Sequence, residues 1–392
     1  MYLLKADKIL TGNGNEVIKD GFILVKNEKI IDIGNKYNLK YSEKKGLKEI
    51  NLKGLTIMPG LIDCHVHLGL DGSKNPVENM KNSDDDTLFS LMIENAARLL
   101  KTGVTTVRDL GARSFLDVKL KSLISKNVID GPNLIISNRP ITSVHGHCWF
   151  MGGECKDTKD IKEMIQYHAT KGADWIKIMA TGGGLTEGTA MWDNQFSRDE
   201  LEFAVHETHN LGKKIAAHAH GTSGINNVVD AGVDTIEHCS WFEDNNIKYD
   251  SNITQKIIEK NIYVCPTVNV KWESVVGRME QRMPQLQEMK KKGVKFIAGT
   301  DSGITNVPHD AYVAGLETMK KIGMTNKEII ESATILAAEG LGIDKITGSL
   351  ETGKLADIIA VKGDPYHDLS NLNNIKWVMS SGKIPRFFNK NV

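Results

Sequence analysis

Short apolar runs alternate with amphipathic stretches over most of this chain, from Pro59 to about residue 345. The stretch 87–101, for example, places Leu88, Met92 and Leu99 on one face of a helix. Eight apolar runs take part in the alternation, beginning near residues 61, 104, 134, 174, 215, 234, 262 and 296. Eight strands alternating with helices is the number that closes a parallel barrel, which takes roughly 250 residues. The pattern therefore predicts an α/β fold with a (β/α)8 TIM barrel over residues 59–345.

Both ends of the chain show a different pattern, in which short β-like runs are separated by turns. Gly21–Val25 and Ile30–Ile33 are such runs near the start, and Asp357–Val361 is one near the end. A meander of this size is too small to bury a stable core alone. We therefore expect residues 1–58 and 346–392 to pair into one small composite β-sandwich domain beside the barrel.

Composition and charge narrow the class of protein. Of the 392 residues, 40% are hydrophobic and 25% charged, and 49 basic side chains balance 49 acidic ones. No basic stripe is present, so no nucleic-acid partner is expected. The five cysteines form no Cys-x-x-Cys pair, which favours a reducing compartment over a disulfide framework. Without a signal peptide or an apolar run long enough to cross a bilayer, the sequence predicts a soluble cytoplasmic protein with no membrane partner.

Histidines collect where the predicted strands end. Seven of the twelve lie at or just after a strand end: His65, His67, His145, His147, His218, His220 and His238. In a barrel these ends meet on one face, where active sites are built. Alternate residues of a strand point to the same side, so His65 and His67 project together, as two ligands of one metal ion would require. If each histidine pair is considered alone, the ordinary alternative to a metal site is that both histidines are satisfied by hydrogen bonds at the strand end.

Two further residues stand out on the same predicted face. Asp301 ends the eighth apolar run, where it suits a metal ligand or proton carrier; alone, it would be interpreted as a turn or helix-capping residue. Lys177 interrupts the apolar run Trp175–Met179, where a charged, unpaired ammonium would be costly. Either its tip reaches solvent, or it reacts with carbon dioxide to form a carbamate that bridges two cations. Spacing alone does not choose between these two states.

Together these segments resemble the amidohydrolase superfamily, in particular its dizinc dipeptidase and N-acyl-amino-acid hydrolase branch. Members similar to Xaa-Pro dipeptidase and arginine carboxypeptidase belong there, and imidazolonepropionase-related proteins are neighbours. The resemblance covers nearly the whole chain. The matching segments are Met58–His67, Ala173–Ile178 with Gly182–Gly184, Ala217–Gly221, Ile236–His238, Gly299–Asp301 and Gly353–Asp357.

The resemblance implies a role for each matching residue. His65 and His67 would hold one zinc ion with Asp301, and His218 and His238 would hold a second. Carbamylated Lys177 and a hydroxide would bridge the two divalent ions, for which zinc is favoured over manganese or cobalt. Asp301 would carry the proton from the hydroxide to the leaving amine.

Two more histidines would act on the substrate. Thr142–Gly146 resembles the family's substrate-binding segment, although glycines usually precede its histidine, and His145 would hold the developing oxyanion or a substrate carboxylate. His220 would contact substrate, or else support the ligands from behind.

The predicted function is hydrolysis of a linear amide bond in a small-molecule substrate, a dipeptide or N-acyl amino acid. A cyclic-amide hydrolase of the imidazolonepropionase type and a deaminase of the same superfamily are the alternatives. Single-metal deaminases typically lack the lysine of the fourth strand, so Lys177 favours two metals. A scaffold without catalysis is a third alternative, which the complete set of candidate ligands disfavours. The sequence leaves open a homo-oligomer and whether loop 182–196 is a lid.

Overall fold

The computed structural model describes residues 1–14, 16–35, 46–244, 246–274 and 277–388. In chain order the strands are β1 (Tyr2–Leu10), β2 (Val17–Lys26), β3 (Lys29–Asn35), β4 (Lys48–Asn51), β5 (Thr56–Pro59), β6 (Leu61–Val66), β7 (Val104–Asp109), β8 (Asn133–Ile136), β9 (Thr142–Ser143), β10 (Glu154–Cys155), β11 (Trp175–Met179), β12 (Lys214–Gly221), β13 (Thr235–Glu243), β14 (Asn246–Ile247), β15 (Tyr263–Cys265), β16 (Ile358–Val361) and β17 (Ile375–Met379).

Helices separate most of the later strands. They are α1 (Pro76–Asn82), α2 (Asp85–Lys101), α3 (Leu116–Ser125), α4 (Thr158–Thr170), α5 (Arg198–Asn210), α6 (Thr222–Ala231), α7 (Ser251–Glu259), α8 (Lys271–Ser274), α9 (Arg278–Lys292), α10 (Tyr312–Thr318), α11 (Asn326–Ser332) and α12 (Ile335–Leu341). Short 3-10 turns cover Trp149–Met151, Met319–Ile322 and Leu369–Asn374. Within the described residues, no helix combines the length and apolar character needed to cross a membrane.

Strands from both chain ends share one seven-stranded sheet. Its order is β17-β16-β5-β1-β2-β3, with β4 also paired to β1. Because β2 follows β1 along its whole length, β4 and β5 must divide the other edge of β1 between them, β4 beside residues 2–5 and β5 beside residues 8–9. A separate apolar cluster that includes Leu4, Ile23 and Ile358 packs this sheet.

The central part of the chain has parallel strands and helices in alternation, so the prediction of an α/β fold is confirmed. Strands β6, β7 and β8 form one parallel sheet, and β11, β12, β13 and β15 are parallel neighbours in another. A parallel bridge between Ile141 and Ile178 links the third predicted strand region to β11. The carboxyl ends of these strands therefore lie on a common side.

The eighth predicted strand, Phe296–Gly299, is less regular than expected. Phe296 forms a single parallel bridge to Val264 of β15, while Ala298 accepts a hydrogen bond from the Cys64 amide of β6 at 2.9 Å. The segment thus lies between β15 and β6 and bonds to both. It does not continue as a strand because the backbone turns at Asp301, which has a left-handed φ of 59°.

Local signals in the sequence set several helix ends correctly. The three-residue spacing of Ser197 and Glu200 predicts a capping box at a helix start. The structure confirms it at the start of α5, where each side chain bonds to the other's backbone amide. Since proline is common at the first position of a helix, the sequence predicts a helix from Pro284 to Lys292. This expectation is wrong: α9 begins at Arg278 and contains Pro284 in its interior.

Candidate metal centre

One cavity gathers most of the polar residues that the sequence singles out. Its volume is about 290 Å³, and it is lined by residues from β6, β11, β12, β13 and the segment after Phe296. The predicted site residues on its wall are His65, His67, Lys177, His218, His220, His238 and Asp301. The polar atoms of these side chains thus converge from five places in the chain, because the parallel strands present their carboxyl ends together.

Two of these residues, His238 and Asp301, have a left-handed backbone conformation. His238 has a φ of 70° and Asp301 a φ of 59°, conformations that cost roughly 1–2 kcal/mol for a residue with a side chain. Buried Asp63 supports the second turn, accepting hydrogen bonds from the Thr300 hydroxyl at 2.6 Å and the Thr300 amide at 3.1 Å. Burial raises the pKa of Asp63 to about 7, although these bonds oppose the shift.

Ligand-type atoms lie close enough to share ions. The Asp301 Oδ1 atom is 3.4 Å from His65 Nε2 and 3.2 Å from His67 Nε2. The rings of His218 and His238 are 4.6 Å apart, and His220 stacks on His238 at 4.4 Å. Among the described residues, three groups bring their ligand atoms within 4.8 Å of one another. Two line the cavity, His65 with His238 and Asp301, and His218 with His220 and His238; the third is His65 with Glu237 and Cys265.

Hydrogen bonds select which ring nitrogens face the cavity. His218 Nε2 lies 3.0 Å from the Gly182 carbonyl oxygen, which can only accept, so Nε2 is the protonated nitrogen and Nδ1 keeps its lone pair. His65 Nδ1 donates in the same way to Glu237 Oε2 at 2.8 Å, leaving Nε2 free to bind. Metal-bound histidines are typically fixed by such bonds through the other nitrogen.

Glu237 belongs to a buried ionic chain that the sequence did not reveal. Its other oxygen accepts from Arg108 Nη2 at 2.8 Å, and Arg108 also donates to the Cys64 carbonyl at 2.7 Å. Burial would raise the pKa of Glu237, but the Arg108 guanidinium and the His65 bond lower it on balance. The ionised Glu237 carboxylate therefore fixes the His65 ring through its Nδ1 atom, on the side away from the cavity. The sequence does contain a signal for this ion pair, since Arg108 and Glu237 each interrupt a strand with apolar residues.

Lys177 lies in the same cavity wall, almost entirely buried. Its ammonium Nζ has no hydrogen-bond partner among the described residues. Burial lowers the pKa of Lys177, opposed by the nearby carboxylates Glu237 and Asp301. The amine is therefore displaced toward its neutral form and does not reach solvent, unlike the solvent-reaching state considered from the sequence.

The structure does not bring His145 into this cavity. The His145 side chain is 84% exposed, and its Nδ1 atom lies 3.7 Å from Glu154. The neighbouring His147 lines the cavity instead, with its ring 4.6 Å from that of His218. The backbone forms a turn here, with left-handed φ values of 58° at His145 and 59° at Cys148. The substrate-binding prediction for His145 rested on the resemblance of Thr142–Gly146 to a family segment, and the position of His145 in this structure does not support it.

Loop 182–196 fixes this turn in place. Gln195 accepts a hydrogen bond from the His147 amide and donates to the Met179 carbonyl of β11 at 2.8 Å. Gly183 lies against the imidazole, and a Cβ atom there would come within 2.5 Å of His147 Nε2. Glycine at this position is therefore needed for the close approach of loop and ring.

Comparison with known proteins now adds to the geometry. The sequence profile of the Amidohydrolase family matches residues 56–384, which is most of the chain. The chain belongs to the amidohydrolase family. The predicted resemblance is therefore confirmed, and the protein is a hydrolase that acts on carbon–nitrogen bonds.

Several relatives of this amidohydrolase match nearly its full length. Ochratoxinase of Aspergillus niger is 24% identical over 98% of this chain and 86% of the relative. Imidazolonepropionase of Fusobacterium nucleatum is 24% identical, covering 96% of this chain and 94% of the relative. A crystal structure of a Xaa-Pro dipeptidase with methionine bound in its active site aligns with a TM-score of 0.86 and 28% identity, over 98% and 99% of the two chains.

The donors of this amidohydrolase fit divalent metal ions, which its family requires. Burial lowers the pKa of His65 to about 4, and it holds the pKa of His218 and His238 well below the ordinary value. Burial alone would raise the pKa of Asp301, but His65, His67 and Lys177 lower it on balance. Neutral imidazoles and an ionised carboxylate are the states that bind metal.

Two other histidines of this amidohydrolase differ from expectation. His168 and His309 lie outside the predicted strand ends, where the sequence predicts exposed or helix-capping histidines, but both are buried. The His309 Nε2 atom lies 3.2 Å from the carbonyl oxygen of His67, so His309 supports the backbone of a candidate ligand. No local pattern marks such a contact, because the two residues are 242 positions apart.

Proposed function

We propose that this amidohydrolase cleaves a linear amide bond adjacent to a free carboxylate, in a dipeptide or an N-acyl amino acid. The proposal includes a closed (β/α)8 TIM barrel over residues 59–345 and a composite β domain of residues 1–58 and 346–392. It also includes two divalent metal ions, with zinc favoured by the imidazole and carboxylate donors.

The observation that carries the proposal is the buried Lys177 amine in the middle of the histidine cluster, without a hydrogen-bond partner among the described residues. A neutral amine attacks carbon dioxide through nitrogen and releases one proton, which leaves a carbamate anion. Burial favours the neutral amine needed for that step. The carbamate would place a charged oxygen pair between the imidazoles, where a bare amine has no partner.

The family resemblance, together with the closeness of Asp301 to His65 and His67, suggests how the ions are shared. His65, His67 and Asp301 would hold one ion, His218 and His238 the other, and carbamylated Lys177 both. Divalent ions bound there would lower the pKa of water and polarise the substrate carbonyl. His220 stacks on His238 and bonds through Nδ1 to Ser240 at 2.7 Å, so we assign it to supporting His238 or contacting substrate.

Asp301 is the proton carrier in this proposal. Its carboxylate is ionised and lies beside both imidazoles of β6, so it can accept a proton from the attacking water and return it to the leaving nitrogen. His147 takes the substrate role first predicted for His145. Burial lowers the pKa of His147 to about 3, so the neutral ring offers one N–H to a substrate oxygen.

The relatives support an amide with a nearby carboxylate. The Xaa-Pro dipeptidase structure contains methionine, a free amino acid, in its active site. The imidazolonepropionase relative favours the second candidate, hydrolysis of a cyclic amide. A deaminase remains the third candidate within the superfamily.

The test is a screen of dipeptides, N-acyl amino acids, cyclic amides and amino-substituted heterocycles, with amine or ammonia release as the readout. We expect the linear substrates to be cleaved, and each acid faster than its C-terminal amide. His147→Ala should reduce that preference, whereas His145→Ala should leave it unchanged. Turnover confined to cyclic amides, or ammonia release from a heterocycle, would replace this proposal with one of its alternatives.

A further inference from the structure

A second cleft adjoins the catalytic cavity. Its volume is about 740 Å³, and Gly184, Leu185 and Thr305 line both spaces. Helix α1 forms one wall of the cleft, and the 3-10 turn Trp149–Met151 forms another. A substrate seated in the catalytic cavity can therefore extend directly into this cleft.

The cleft presents aromatic surface to solvent. Trp149 is 37% exposed, and its ring is 6.5 Å from that of Phe150. The Lys81 ammonium lies 5.3 Å from the centre of the Trp149 ring and 5.0 Å from that of Phe150. A ligand that buries an exposed tryptophan beside this cavity gains binding free energy, because large aromatic side chains dominate the energetics of binding sites.

The turn that carries Trp149 is built to present it. Cys148 and Met151 are buried on either side, Cys148 has a left-handed φ of 59°, and Trp149 between them is exposed. The Cys148 amide donates to the Thr186 hydroxyl at 2.9 Å, which ties the turn to the loop that also borders the cleft. This bond and the two buried neighbours therefore hold the Trp149 turn in position beside the cleft.

The charges of the cleft argue against an ionic ligand. Two lysines, Lys74 and Lys81, are balanced by two glutamates, Glu78 and Glu187. No net sign remains to attract an anion or a cation, so the ring surfaces are the distinguishing feature. A flat uncharged ring is the group that these walls recognise best.

From these observations we infer that the Trp149 cleft binds an aromatic N-acyl group of the substrate. The inference rests on the proposed function, in which the amino-acid carboxylate binds inside the catalytic cavity and the acyl group extends outward. It assigns selectivity for aromatic acyl groups to Trp149 and Phe150, which lie outside the set of metal-binding and proton-carrying residues.

The experiment compares N-benzoyl and N-acetyl derivatives of one amino acid as substrates of the metal-loaded enzyme. We expect a higher kcat/KM for the benzoyl compound. Trp149→Leu should lower kcat/KM for that compound by about threefold to tenfold, as expected for the loss of one ring contact. The same variant should leave the acetyl compound unchanged, and Trp149→Phe should retain most of the preference. Tyr167→Leu is the matched control, since Tyr167 is also an exposed aromatic residue, at 44%, but does not line the cleft.

The outcomes separate the two proposals. If neither acyl compound is cleaved by the wild-type enzyme, the proposed function fails. If both are cleaved and Trp149→Leu changes them equally, the function stands and the aromatic subsite is overturned. Size-exclusion chromatography of the wild-type enzyme and the Trp149→Leu variant adds a third outcome. A smaller assembly for Trp149→Leu with unchanged selectivity would show that Trp149 covers a subunit interface, which also overturns the subsite.

Discussion

Three aspartates at the amino ends of the parallel strands differ from the cavity residues at the carboxyl ends in how fully their bonding capacity is used within the protein. At the amino ends, Asp357 accepts hydrogen bonds from the Ser381 amide and the Thr347 hydroxyl, both at 2.7 Å, and from the Asn133 side chain at 3.2 Å. Asp174 and Asp234, which are half-buried, accept hydrogen bonds from the Ile136 and Ile215 amides. These aspartates join strands to their neighbours, and their acceptor capacity is used within the protein.

At the carboxyl ends, several buried polar atoms have no hydrogen-bond partner among the described residues. They are Lys177 Nζ, His67 Nδ1 and His147 Nδ1. A buried polar atom without a partner costs roughly 1–3 kcal/mol. The comparison teaches that these amino-end aspartates join strands, whereas the cavity side chains keep donor and acceptor capacity for ligands. The following predictions test this division.

The largest expected effect is at Lys177. Lys177→Ala should reduce kcat/KM by at least about 10³-fold, the equivalent of several kcal/mol of lost charge stabilisation by the metals. Bound metal, measured by inductively coupled plasma mass spectrometry, should fall below two ions per chain. Lys121→Ala is the control from the amino ends, where Lys121 contacts Asp174 at 2.6 Å. It should retain both metal and activity. Full metal content in Lys177→Ala would contradict a bridging carbamate, and partial rescue by a short carboxylic acid would support one.

The next effect concerns the support of His65. Glu237→Gln keeps the shape of the side chain but removes the charge that faces Arg108 and His65. Metal affinity should fall about 10- to 100-fold, as is usual when the partner of a metal-bound histidine is changed. Competition with a chromogenic chelator measures this directly. Unchanged affinity would mean that Glu237 serves only to neutralise buried Arg108.

Asp357→Asn should produce the converse result at the amino ends. An amide cannot accept from all the donors that now face the carboxylate, so unfolding free energy should fall by about 1–3 kcal/mol. Urea titration followed by tryptophan fluorescence would show the lower midpoint. The kcat of the folded variant should equal that of the wild type, and a large loss of kcat without loss of stability would break the proposed division.

The effect that is smallest at neutral pH is the pH dependence of stability due to Asp117, a buried residue distant from the metal cluster in sequence. Burial raises the pKa of Asp117 from 3.8 to about 6, with Asp174 adding to the shift and the Asn138 and Val118 amides opposing it. The folded state therefore holds a proton that the unfolded chain releases near pH 4. This contribution to stability is present below pH 4 and is lost as pH rises to about 6.

Asp117→Asn should remove that contribution. Unfolding free energies of both proteins, measured at intervals between pH 4 and pH 7, should show a difference that changes across this window and is constant above it. The subtraction cancels the opposite trend from buried histidines, which are common to both proteins. A difference that does not vary with pH would mean that Asp117 is ionised throughout in the folded state.

The sequence by itself determined the features that depend on local periodicity. Alternation along a strand placed His65 and His67 on one side, and an interrupted apolar run identified Lys177. The capping box of Ser197 and Glu200 could be predicted because its two residues are only three positions apart. The β-like character of both chain ends was also legible, since short runs and turns are local features.

Only the tertiary structure decided contacts between distant segments and the direction of side chains in turns. Arg108 meets Glu237 across 129 residues, and Asp63 meets Thr300 across 237. His147, and not His145, lines the cavity because two residues outside the turn fix its backbone. Gln195 accepts a hydrogen bond from the His147 amide, and Glu154 accepts one from the His145 amide. Periodicity describes a regular backbone and says nothing of a turn held by remote partners. The choice between two histidines two positions apart was therefore made by packing.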